Sequence, residues 1–168
     1  MLNMELNKTF TVAGIRWTVL EKLANGYLAI ADSIGNKRFG NNNDWKESSI
    51  RKMLNSEFAE KIEKELGVEL PEFERNLLSL DGLKEYGTCM DKVSLISVDE
   101  YRKHRDKLPN TGKWWWTLTP DSTRCNGDSS WIRVVSPSGD FDFNGFNGLN
   151  GVRPICIFPS SIFESEEK

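Results

Sequence analysis

The chain has 168 residues, 38% of them hydrophobic, and a net charge of −3. A chain of this length buries roughly two-thirds of its unfolded surface, so it needs no disulfide framework to hold one domain together. Its acidic balance, with a pI near 5.3, argues against nucleic acid as the main partner, because phosphate binding needs a positive surface; a local basic patch stays open.

No run approaches 18 apolar residues, so no membrane span is expected. Met1 to Lys8 carry no apolar leader-like run and no small-residue cleavage site. Cys89, Cys125 and Cys156 are odd in number and widely spaced. Both features predict a cytoplasmic protein with reduced thiols; association with a virion is the alternative. The expected organisation is a single domain over 1–168, with its core over 8–158 and a flexible tail over 159–168.

Residues 8–39 read as β-structure. Ile15 to Leu20 and Tyr27 to Ala31 form apolar runs, and Asn25-Gly26 between them is a hairpin signal. Asn41 to Asp44 form a polar loop, and Ser48 is placed to cap a short helix over Ile50 to Leu54. A second helix is expected from Glu57 to Leu66, capped by Ser56 and ended by Gly67, with Phe58, Ile62 and Leu66 as its buried stripe. Residues 69–91 give no clear period. Lys92 to Ile96 read as a strand, and Ser97 with Glu100 forms a capping box for a helix over 98–107. From Trp114 onward, short β-runs (114–119, 131–135, 152–158) alternate with Ser-, Asp-, Asn- and Gly-rich loops. The order of elements is α+β, not alternating βαβ.

Chemistry-bearing patterns are sparse. His104, the one histidine, lies in a charged stretch that reads as solvated helix surface. No phosphate-cradling Gly loop and no Cys/His cluster occurs, so no cofactor or metal is expected. Asp140 to Gly145 match the opening of a calcium loop, but position twelve is Gly151 where a bidentate Glu is required; alternation of Asp140, Asp142 and Asn144 with Phe141 and Phe143 fits a two-faced strand better. An enzyme would rest on Asp121, Asp128, Asp140 and Asp142, since carboxylates perform acid–base work without histidine. No catalytic set is assigned.

The aromatic residues carry more. In a strand, Trp115 must face opposite to Trp114 and Trp116. Either both faces are buried between layers, or one presents an aromatic anchor to a ligand. The candidate ligand-binding set is Trp114, Trp116, Asp140, Asp142, Asn144, Phe146, Asn147 and Asn150. Its polar members are expected to point outward together while some of Phe141, Phe143, Phe146 and Leu149 pack on the body. Trp17, Trp45 and Trp131 are expected in the core with their indole N–H groups satisfied. Arg133 and Arg153 are expected to be structural. Arg153, between Val152 and Pro154, must be buried or half-buried and bonded to a carboxylate or to backbone carbonyls.

Five motifs occur in order: Trp17-Thr18-Val19-Leu20; Trp45 to Phe58 with Ser48, Ile50, Arg51, Leu54 and Asn55; Asp91 to Ser97 with Glu100; Trp115 to Pro120; and Gly151-Val152-Arg153-Pro154. This set, spanning about residues 10–158, resembles a bacterial and phage family without an assigned function that reads W-W-L-R-(S/T)-P and ends G-V-R-P. Leu118 stands where that family carries Arg, and Arg133 is the candidate substitute. The C-terminal half is also similar to the C-type-lectin-like fold shared by formylglycine-generating enzymes and the variable proteins of diversity-generating retroelements. The resemblance implies a rigid scaffold whose Asp140-to-Asn150 stretch contacts ligand. It does not imply formylglycine-generating catalysis, since nothing marks Cys125 and Cys156 as the required pair. Calcium-dependent sugar binding is not implied either, since the lectin sugar motif is absent.

The expectation is a non-enzymatic module of bacterial or prophage origin that binds a protein or surface ligand. The alternative is a phage-encoded inhibitor of a host defence protein. The sequence sets no oligomeric state.

Overall fold

The computed structural model describes residues 8–163. The protein is α+β with mostly antiparallel sheets. One sheet has the order β1 (Thr9–Val12), β2 (Ile15–Leu23), β3 (Gly26–Ala31), β12 (Ile155–Pro159), β7 (Val93–Ser94). The other has the order β10 (Phe141–Gly145), β9 (Trp131–Val135), β8 (Trp115–Pro120), β11 (Asn150–Gly151), β4 (Asn36–Lys37). A small hairpin, β5 (Phe73–Asn76) with β6 (Thr88–Asp91), occupies the stretch without a clear period.

The β1–β2 turn is Ala13-Gly14, with φ of 57° and 71°. Positive φ at both central residues follows the twist of the strands it joins. The β2–β3 turn is Ala24-Asn25, one residue before the expected pair, because Gly26 already pairs with Leu23. Gly26 answers a different need. A Cβ there would stand 2.2 Å from the Phe158 carbonyl oxygen, so only glycine admits β12 against β3.

Strands β3, β8 and β12 are covered on both faces, which explains their unbroken apolar runs. On β8, Trp116 and Leu118 enter the larger hydrophobic cluster with Trp17, Trp45 and Phe158, while Trp115 enters a second cluster with Tyr101, Val135 and Ile155. Strand β3 divides the same way, Ala29 and Ala31 to the first and Leu28 and Ile30 to the second.

The two helices expected over 50–66 are one continuous run. Ser48 caps α1 (Ser49–Met53) through a bond from the Arg51 amide; the run then passes through a π-helical turn (Leu54–Phe58) into α2 (Ala59–Leu66). Ser56 is not a cap: its hydroxyl donates back to the Lys52 carbonyl from inside the helix. The π turn positions Asn55 against β7. Asn55 Oδ1 accepts from the Lys92 and Val93 amides at 2.8 and 3.0 Å, and Nδ2 donates to the Val93 carbonyl at 2.8 Å. One amide side chain thus satisfies the edge of β7 that faces away from β12.

The capping box forms as expected: Ser97 and Glu100 exchange side-chain and backbone bonds at the start of α3 (Val98–Lys103). The expected tail is shorter than 159–168. Pro159 completes β12, and Ile162 and Phe163 are buried, the Phe163 ring lying edge-on to Phe10 and Tyr27 at 5.0 and 5.1 Å. Residues 164–168 lie outside the described residues. No helix among the described residues is long and apolar enough to cross a membrane.

Candidate functional site

The structure exchanges two tryptophans. Trp116, expected to bind ligand, is fully buried and its Nε1 donates to the Lys37 carbonyl at 2.8 Å. Trp131, expected in the core, is 44% exposed. On β9, Ile132 and Val134 face the first cluster, so Trp131 and Arg133 take the opposite face, which the second cluster covers at Val135 but not at Trp131. Trp17 and Trp45 lie in the core, their Nε1 groups donating to the Val12 carbonyl at 3.2 Å and to Asp91 Oδ2 at 2.7 Å.

Strand β10 brings a second ring onto that outward face. Phe143 pairs with Arg133, and Gly145 with Trp131. The Phe143 ring is 50% exposed and stands edge-to-face with Trp131 at 5.3 Å. Gly145 lies beside the Trp131 ring, where a Cβ would make an ordinary contact at 3.6 Å. The Arg133 guanidinium sits 5.6 Å over Phe143 and is held by Asp121. Leu118 is wholly buried in the first hydrophobic cluster.

The stretch from Asp140 to Asn150 is divided differently from expectation. Asp140, Asp142 and Asn147 are exposed and Asn144 is half-buried. Asn150 does not point outward: it is buried in β11, and its Nδ2 has no acceptor among the described residues. Phe141 and the half-buried Phe146 pack on the second and first clusters respectively, so Phe146 is mainly a packing residue. The calcium-like string is β10 itself and the turn before it. Asp140 accepts hydrogen bonds from the Ser136 and Ser138 hydroxyls, which hold its carboxyl below the usual aspartate range.

The other candidate carboxylates are also committed locally. Asp128 accepts from the Ser130 and Trp131 amides, and Asp121 pairs with Arg133. No group of three or more His, Cys, Asp or Glu side chains suited to a metal occurs among the described residues. His104 is not solvated surface. It is buried, with Nε2 3.4 Å from Glu21 Oε1, and burial pulls its pKa below the ordinary 6.5 against the attraction of Glu21. Cys125 is exposed and Cys156 is inside the core sheet; both are free thiols.

A cleft of about 410 Å³ lies elsewhere, where the Lys107–Lys113 loop meets β2, the segment after β3, and the Gly151–Arg153 segment. Its walls include Arg16, Lys107, Lys113 and Arg153 against a single carboxylate, Asp32, which is 3.2 Å from Arg16. Trp114, 42% exposed, forms part of the wall. Arg153 is only 6% exposed. Its Nε donates to the Ala31 carbonyl at 3.0 Å and its guanidinium lies 4.8 Å over the Trp115 ring. Nη1 has no acceptor among the described residues. Burial lowers its pKa from the usual arginine value, with Asp32 acting in the opposite sense. The basic residues of this cleft come from positions 16 to 153, so no local run announces it and the acidic total charge conceals it. A second cleft, of about 360 Å³, contains Arg75, whose guanidinium is already bonded to Glu100, Ser94 Oγ and the Leu95 carbonyl.

No family model, curated protein or solved structure matches the chain.

Proposed function

We propose that the protein is a non-enzymatic binding module that recognises a protein or surface ligand through the outward face of β9 and β10. The observation that carries this reading is the exposed Trp131–Phe143 pair with Arg133 ordered above it. Rings left half in water sacrifice burial, yet these are fixed in place by strand register and by the Arg133–Asp121 pair. Trp, Phe and Arg presented together on a rigid element are the composition in which binding energy concentrates. Leu149, 66% exposed, and Asn147 follow in the same chain segment as further contacts.

The C-type-lectin-like reading of the fold belongs to the same proposal. It is supported by β12 closing against β3, which joins the two ends of the described chain in one sheet and leaves the second sheet and its loops between them. Origin in a bacterium or prophage rests on the five-motif resemblance, and a reducing compartment on the three free thiols.

The test is capture from bacterial lysate and from envelope extract, comparing the protein with a Trp131→Ala/Phe143→Ala variant. Both rings are exposed, so the variant is expected to fold, and its circular dichroism and Tm check this. A saturable partner recovered by the parent and lost by the variant supports the reading. A partner held equally by both places recognition elsewhere. An envelope or surface component indicates adhesion; a cytoplasmic defence protein indicates inhibition.

A further inference from the structure

We propose that the cleft around Arg153 binds a small oxyanion, a carboxylate or a phosphate monoester, carried on an aromatic ring that packs against Trp114. This goes beyond the partner face on β9 and β10 and rests on different residues.

The argument starts from how this fold treats its arginines. Arg51, Arg75, Arg124 and Arg133 each meet a carboxylate: Asp91, Glu100, Asp44 and Asp121. Arg153 is nearly as deeply buried as Arg75, yet no carboxylate stands within ion-pair distance of it among the described residues. One backbone carbonyl and the face of Trp115 are its fixed partners, and Nη1 is left without an acceptor. A buried cation so weakly compensated is costly unless something else neutralises it.

The surroundings indicate what that is. Lys107 and Lys113 are exposed at the cleft and Arg16 lines it, while the one carboxylate there already faces Arg16. Cations therefore outnumber acids four to one in a wall set, within a chain whose net charge is −3. Asn110 and Ser33 add neutral hydrogen-bonding groups. Arg153 adds its charge from inside the wall, while the exposed Arg16, Lys107 and Lys113 can reach the oxygens of a carboxylate or phosphate directly. The volume, about 410 Å³, falls in the range for small-molecule sites, and Trp114 supplies an apolar face for a ring.

Isothermal titration of the purified chain with phenyl phosphate, benzoate and neutral benzamide tests this. We expect saturable binding of phenyl phosphate or benzoate, with benzamide at least about tenfold weaker. Phenyl phosphate alone would identify a phosphate monoester, benzoate alone a carboxylate. Lys107→Glu with Lys113→Glu changes two exposed residues and is expected to keep Tm while weakening the anion at least about tenfold; Trp114→Ala is expected to weaken both ring-bearing anions. Trp131→Ala/Phe143→Ala should bind the anions as the parent does, which separates this site from the partner face. No saturation by either anion, equal binding of benzamide, or equal binding by the double-glutamate variant would overturn the proposal.

Discussion

At the scale of single residues, Arg153 sets charge against shape. Its side chain fills space over Trp115 and donates to the Ala31 carbonyl, but its charge is poorly compensated. These contributions separate by substitution. Arg153→Ala empties the space and leaves the carbonyl without its donor, an expected loss of about 2–4 kcal/mol in urea unfolding. Arg153→Met keeps an adaptable chain on the Trp115 ring and removes the buried charge, but it too leaves the Ala31 carbonyl without its donor, so the expected loss is about 1–2 kcal/mol, smaller than for Ala. A Met variant as unstable as the Ala variant would show that the guanidinium's charge and hydrogen bond, not its packing, stabilise the fold. The sequence indicates that Arg153 must be buried, because it stands inside an apolar strand approach. That its Nη1 lacks an acceptor depends on which carboxylates fold nearby. The same distinction governs Trp116 and Trp131: strand period tells which neighbours share a face, but not which face is covered.

At the scale of elements, the run from Ser49 to Leu66 shows how a tertiary contact overrides a local signal. Ser56 offers a helix start, yet the chain stays helical through it by widening one turn. The widened turn places Asn55 where it bonds three backbone groups of Lys92 and Val93, so β7 is held by β12 on one side and by this side chain on the other. Asn55→Ala leaves those groups without partners; we expect a loss of about 2–3 kcal/mol and faster amide exchange at Val93. A loss under about 0.5 kcal/mol would mean that water or a shifted strand replaces the amide. By contrast, Ser48, the Ser97–Glu100 box and Gly67 act as read from sequence, because each is satisfied within one turn of its own helix.

At the scale of the whole molecule, acid stability depends on groups that folding removes from water. Burial holds His104 below its ordinary 6.5, so near that pH the unfolded chain takes up a proton that the folded chain resists. The sign follows: stability is full above about pH 6.5 and falls as pH drops through that value, until His104 protonates in the folded state as well. Glu100 acts lower. Burial would raise its pKa, but Arg75 and the Ser97 groups lower it more, and the stability they contribute is lost below about pH 4.5. We expect the urea midpoint to fall between about pH 7.5 and about pH 5.5, and His104→Asn to flatten that interval while leaving the lower decline. An unchanged slope in the variant would assign the upper decline to another group.

The sequence by itself determined the α+β order, the helix ends at Ser48, Ser97 and Gly67 but not the cap expected at Ser56, the core places of Trp17 and Trp45, and the strand over Phe141 to Phe143. Each follows from periods or hydrogen bonds closed within a few residues. Only the tertiary structure decided that Trp131 and Phe143 stay in water, that Phe163 returns to the core, and that Arg16, Lys107, Lys113 and Arg153 surround one cleft. Those outcomes depend on which distant segment covers each sheet face, and on charges brought together from across the chain. No local pattern records that covering.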